Sequence, residues 1–194
     1  MAQYQILVKG YARLQYREFV ASPTTVLIQE GGYNILADPG CNENRLLDAL
    51  AEVNLKVTDV DMIYLTHTHL DHLLNLRLFP PLPVYEGNLR FYGDSMVPHG
   101  GFITGTSIQI IPTPGHTLEH TSLIFESAGK KVCMAGDLFW WEDKKTVSPD
   151  RDTLLGLPDP LQTVDAEALL ESRQTILATC DIIIPGHGEV ICLP

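Results

Sequence analysis

Along most of this chain, hydrophobic and polar positions alternate in short runs, and helical spacing is confined to a few stretches. Residues 4–8, 24–29 and 33–37 read as strands, the last two joined into a hairpin by Gly31-Gly32. Residues 44–53 carry Leu46, Leu47, Leu50 and Val53 at helical spacing, which predicts an amphipathic helix. A strand over 62–65 comes next, and a short helix over 73–79 ends at Pro80-Pro81, since proline cannot continue a helix. Further strands are predicted over 83–86 and 106–112. Residues 121–125 and 130–135 read as a hairpin around Ser127-Ala128-Gly129. A second amphipathic helix covers 165–178, and 182–184 is a short buried strand.

Segments 11–22, 87–105 and 138–160 show no clear period and read as loops. Long loops in a compact chain usually have work to do, so these are the expected pocket walls. The two halves look alike: strands, a helix, then a strand that runs into a loop. That order predicts an α/β protein with two sheets packed face to face and helices outside.

Composition changes the picture modestly. The chain has 194 residues, 45% of them hydrophobic, and a mean hydropathy of +0.05, enough for one domain with a sizeable core. Its net charge of −11 disfavours nucleic acid and anionic membranes as partners and leaves a small-molecule substrate as the expectation. Cys41, Cys133, Cys180 and Cys192 show no Cys-x-x-Cys spacing and read as reduced thiols. With no secretory pattern at the start and no apolar run of the ~20 residues needed to cross a bilayer, a cytoplasmic location is expected.

Candidate chemistry changes it most. Thr66-His67-Thr68-His69-Leu70-Asp71-His72 packs three of the seven histidines and an aspartate directly behind the strand ending at Leu65. Imidazole and carboxylate are the usual protein ligands of zinc and its neighbours. In a regular helix or strand these four side chains cannot all reach one ion. A turn after Leu65 would point His67 and His69 one way and Asp71 and His72 another, a geometry suited to two ions.

Three more candidates lie where a strand meets a Gly- or Pro-marked turn: His116 after Pro114-Gly115, Asp137 after Ala135-Gly136, and His187 after Pro185-Gly186. His120, Trp140 and Trp141 are candidate substrate contacts, although His120 also reads as a surface histidine or one that supports a ligand, and the two tryptophans as packing residues. His99 reads most simply as a solvated loop residue, in a segment that could roof a site. Asp38 reads either as a turn cap or as a support for a ligand loop.

The series His67-x-His69-x-Asp71-His72, Pro114-Gly115-His116-Thr117, Ala135-Gly136-Asp137 and Pro185-Gly186-His187-Gly188 resembles the metallo-β-lactamase superfamily. The resemblance implies a four-layer αβ/βα sandwich with a two-metal site at one edge, between the sheets. It implies that His67, His69 and His116 hold one ion, that Asp71, His72 and His187 hold the other, and that Asp137 bridges them. Two zinc ions are the expected cofactors, with iron or manganese as alternatives. Such a pair lowers the pKa of a shared water and takes up charge developing at the attacked bond. Asp71 is the implied catalytic residue, orienting the nucleophile and passing a proton. The implied activity is hydrolysis of an ester, thioester, lactam or phosphodiester. The stretch 113–120 is similar to glyoxalase II-type members, and other stretches resemble a short branch with ribonuclease activity. A di-iron redox enzyme on the same fold is the remaining alternative.

Overall fold

In the computed structural model, which describes residues 1–143, 145–159 and 164–194, the chain opens with five strands. These are β1 (Gln3–Val8), β2 (Tyr11–Gln15), β3 (Glu18–Ser22), β4 (Thr25–Glu30) and β5 (Tyr33–Ala37). Next come α1 (Glu43–Glu52), β6 (Met62–Tyr64), α2 (Leu70–Leu73), β7 (Val84–Glu86), β8 (Leu89–Tyr92) and β9 (Ser95–Pro98). The remainder holds β10 (Gln109–Pro112), β11 (Thr121–Ser127), β12 (Lys130–Trp140), α3 (Arg151–Leu155), α4 (Ala166–Thr179), β13 (Ile182–His187) and β14 (Ile191–Cys192). One mixed sheet of seven strands runs β1-β4-β5-β6-β7-β8-β9, and a second of five runs β10 to β14 in order. β2 and β3 form a separate two-stranded ribbon.

The period-2 pattern of the strands explains the layering. On β5, Ile35 and Ala37 face the space between the sheets while Leu36 faces α1; on β6, Met62 and Tyr64 face inward and Ile63 outward. β12 does the same from the other side, with Val132 and Met134 inward and Cys133 and Ala135 outward toward Leu169, Ile176 and Leu177 of α4. Each sheet is therefore apolar on both faces, and each outer face needs a helix. The result is the four-layer αβ/βα sandwich.

The helices predicted over 44–53 and 165–178 are α1 and α4, each displaced by one residue. Asn42 and Asp165 set their starts, accepting hydrogen bonds from the backbone N–H groups of Arg45 and Ala168 at 3.2 and 3.0 Å. Buried Arg173 on α4 donates to the carbonyls of Leu138, Leu155 and Leu157, which fastens the end of β12 and the segment after it to the helix.

Several expectations need correction. Segment 11–22 is the β2–β3 hairpin, and 87–105 contains the whole of β8 and β9, which extend the first sheet. The strand predicted over 130–135 continues to Trp140 through two register irregularities, so Asp137 lies inside β12 rather than beyond its end. β13 likewise carries through Pro185 and Gly186 to His187. β10 starts at Gln109 rather than at 106. The helix predicted over 73–79 begins earlier, as α2, and tightens into a 3-10 turn over Leu74–Leu78. The predicted loop over 138–160 holds the end of β12 and α3; positions 144 and 160 lie outside the described residues. Among the described residues no cysteine is in a disulfide, and no helix is long and apolar enough to cross a membrane.

Candidate metal centre

The parallel pairs β5–β6 and β12–β13 point their C-terminal ends at one edge of the sandwich, and the candidate residues collect there. His67 follows β6 and is fully buried. His69 precedes α2, whose first turn carries Asp71 and His72. The Asp38-Pro39-Gly40 turn is pinned to this stretch: Gly40 N–H donates to the His72 carbonyl at 2.9 Å, and Asn75 Nδ2 donates to the Pro39 carbonyl at 3.0 Å. The turn bearing His116 is held by α4, where Ser172 Oγ donates to the Pro114 carbonyl at 2.8 Å.

All seven candidate side chains converge in two groups, His67, His69, His116 and Asp137, and Asp71, His72 and His187. Within each group the potential ligand atoms lie within 4.8 Å of one another. His69 Nδ1 is 2.8 Å from His67 Nε2 and 3.0 Å from His116 Nε2. Asp137 stands between the groups. Its Oδ2 is 3.5 Å from His116 Nε2, and its Oδ1 is 3.4 Å from His72 Nε2 and 3.5 Å from His187 Nε2. Asp71 Oδ2 is 3.4 Å from His187 Nε2.

The outward ring nitrogens explain why the inward ones face the site. His72 Nδ1 is 2.9 Å from Asp38 Oδ2, and His116 Nδ1 is 2.8 Å from Asp159 Oδ2. His187 Nδ1 lies 3.1 and 3.0 Å from the carbonyls of Tyr11 and Ser22, a registered pair on the β2–β3 ribbon. His67 Nδ1 is 3.0 Å from Thr66 Oγ1, which itself donates to Asp38 Oδ2 at 2.9 Å. Each Nδ1–H is thus committed to an oxygen acceptor, which leaves an Nε2 lone pair aimed inward. Asp38 is buried at a positive φ of 47° and serves Thr66 N–H, Thr66 Oγ1 and His72 together.

These atoms fit a pair of cations. His72 Nε2 and Asp137 Oδ1 are buried and find no hydrogen-bond partner among the described residues, which is costly for polar atoms unless something else satisfies them. Burial alone would depress His72 and His187. The Asp38 and Asp137 carboxylates beside His72, and Asp137 beside His187, overcome it and hold both above the ordinary imidazole value, His187 at about 9. Asp137 is the counterpart: burial would raise its carboxyl, but His187 and His72 hold it well below the usual range. The field that favours protonated imidazoles here is one that attracts metal cations. Burial, with His72 beside His67 and His116 beside His69, pushes these two imidazoles down toward the neutral form that binds metal.

The centre floors a cleft of about 460 Å³ whose walls include Phe19, Ala21, Leu70 and Trp140. Of the three expected substrate contacts, only Trp140 lines it. Trp141 is packed in the outer core against Gly188. His120 is buried behind His67, with ring centroids 5.3 Å apart and its Nδ1 2.9 Å from Thr113 Oγ1, and burial beside His116 pushes it down to about 3. It lines a separate groove together with His99, so segment 87–105 does not wall the cleft.

Sequence reasoning passed over Asp159. Its two carboxylate oxygens take His116 Nδ1 at 2.8 Å and Trp140 Nε1 at 2.9 Å, joining a candidate ligand to the cleft wall. Asp159→Ala is expected to weaken metal binding about 10- to 100-fold, the usual cost of losing such a support, and to alter tryptophan fluorescence. A competition titration against a chromophoric chelator measures the first effect; unchanged affinity would show that His116 is oriented by its turn alone.

The sequence profile described as Metallo-beta-lactamase superfamily matches residues 20–85. A probable metallo-hydrolase of Methanocaldococcus jannaschii is 30% identical over 77% of this chain and 67% of its own length. This chain belongs to the metallo-β-lactamase superfamily. Another family member, metallo-beta-lactamase domain-containing protein 1 of Xenopus laevis, is 28% identical over 94% of this chain and 78% of its own length. Among solved structures, the peroxy diiron form of the chemotaxis sensor ODP superposes with a TM-score of 0.71, covering 99% of this chain and 86% of that one. At 18% identity that likeness concerns the family fold alone.

Proposed function

We propose that the chain is a two-zinc hydrolase that cleaves a small-molecule ester-type bond. In this reading His67, His69 and His116 hold one ion, Asp71, His72 and His187 hold the other, and Asp137 serves both. The observation that carries it is the placement of Asp137, with Oδ2 toward the first group and Oδ1, which has no hydrogen bond among the described residues, toward the second. A closed structural zinc site needs four ligands, whereas seven protein ligands over two groups leave positions open for water and substrate. The metal pair would supply an activated water near neutral pH and a sink for charge on the attacked bond.

The remaining roles belong to the protein. Asp71 lines the cleft with its side chain 28% exposed, so it can take a proton from the attacking water and return it to the leaving group. Burial would raise its carboxyl, but His187 and His72 beside it keep it low, so it is ionised and ready to accept. Trp140, clamped by Asp159, and Phe19 shield this region from bulk water. The nitrogen-rich donor set also accepts iron, and the diiron form of a protein with the same fold makes redox chemistry the second reading.

Elemental analysis of protein purified without added metal is expected to find two zinc ions per chain. Turnover of nitrophenyl esters should vanish on chelation and return with zinc. Iron as the native metal, with no ester turnover after zinc loading, would favour the redox reading; full turnover in chelated protein would overturn both.

A further inference from the structure

The cleft says more about the substrate than the metal groups do. Above the centre its walls are Phe19, Ala21, Leu70 and Trp140, and no lysine or arginine among the described residues lines it. Arg17, in the exposed turn of the β2–β3 ribbon, does not line the cleft, and two other cations near the ribbon are engaged elsewhere. Arg13 is paired with Asp143 at 3.0 Å and lies over the Tyr11 ring, which Arg45 also covers. Arg173 is buried in backbone carbonyls. The chain as a whole carries a net charge of −11. A substrate with a phosphate or carboxylate away from its scissile bond would therefore meet no lysine or arginine among the described residues on the walls, and the chain's overall negative charge disfavours it. An apolar group would cover Phe19 and Leu70, which are 45% and 65% exposed. The volume of about 460 Å³ falls within the small-molecule range of roughly 300–1,000 Å³.

We infer that the substrate is a neutral ester, thioester or lactone whose acyl part is an apolar chain or ring, with Phe19 and Leu70 as the specificity-determining residues. This rests on the hydrolase reading for the bond that breaks, but not for the chemistry of the walls. In the step, water oxygen bonds to the acyl carbon, the carbon–oxygen or carbon–sulfur bond of the leaving group breaks, and the leaving group departs with the proton held by Asp71. The acid and the alcohol or thiol are the products, and no oxidant or reductant is consumed.

A matched pair of substrates tests it on zinc-loaded protein: the 4-nitrophenyl ester of hexanoic acid, and the 4-nitrophenyl monoester of adipic acid. The two acyl chains have the same number of carbons, and the second ends in a carboxylate. The expected kcat/KM favours the hexanoyl ester at least about tenfold, the equivalent of one charge left unpaired in the cleft. Phe19→Arg should narrow that gap, more at low salt than at high, and Phe19→Ala should lower the hexanoyl rate more than it lowers the acetyl rate. Calorimetry of hexanoate against adipate reads the walls without turnover, with hexanoate expected to bind the tighter. Equal or reversed preference in both measurements overturns the inference. Tighter hexanoate binding with no ester turnover overturns the hydrolase reading and leaves the apolar cleft standing.

Discussion

Asp137→Ala is expected to abolish turnover and to leave the protein with fewer than two bound metal ions per chain. The size of the effect follows from where the carboxylate sits. Oδ2 is 3.5 Å from His116 Nε2 in one group, while Oδ1 is 3.4 and 3.5 Å from His72 and His187 in the other, so among the described residues no second one duplicates the role. Loss of a side chain that merely supports a ligand costs about 10- to 100-fold, and loss of a shared ligand should cost more than about 100-fold in kcat/KM. Two further variants separate chemistry from folding. Asp137→Asn keeps the shape but removes the charge that offsets two cations, so it should fold normally and still bind metal poorly. Asp48→Ala, on the exposed face of α1, should leave activity and metal content unchanged. Elemental analysis beside steady-state kinetics reads both. An Asp137→Ala protein with two metals and wild-type kcat/KM would sink the bridging role.

What the sequence made legible depended on whether a residue belonged to a pattern with a buried face. The helices α1 and α4 and the inner strands alternate between two apolar environments, so their periods could be read. β2, β3 and β9 could not, because they bury few side chains on either face. The ribbon they left unread matters for the site, since its carbonyls at Tyr11 and Ser22 hold His187 and its Phe19 walls the cleft. The candidate ligands were legible for a different reason: histidines and aspartates beside Gly-marked strand ends are rare enough to be selected together, and the structure gathers all seven. Asp137 was still placed wrongly along its strand. Nothing in a one-dimensional pattern shows that Gly136, at a φ of +52°, lets β12 bulge and continue to Trp140. Asp159 was invisible because its partners, His116 and Trp140, lie 43 and 19 residues away in a segment without periodicity.

Gly186→Ala is expected to damage the centre as severely as loss of a ligand, although Gly186 touches no substrate. A Cβ at this position would lie 1.8 Å from Asp137 Oδ1 and 2.9 Å from the backbone carbon of Gly136, both well inside contact distance. The strand cannot step aside. The Gly186 carbonyl accepts hydrogen bonds from Thr24 N–H and from Thr24 Oγ1, and Gly10 packs so closely on that carbonyl oxygen that it too must lack a side chain. The easier response is rotation of the Asp137 carboxylate, which removes Oδ1 from between His72 and His187. Overpacking of this kind costs about 1–3 kcal/mol, and the lost metal ions would add their own share to the instability. Urea unfolding should therefore show a lower midpoint for Gly186→Ala than for wild type. Chelation should narrow that difference, because the apo wild type loses the metal-derived part that the variant already lacks. A variant with two metals and a wild-type midpoint would mean that β13 shifts more freely than its bonds to Thr24 allow.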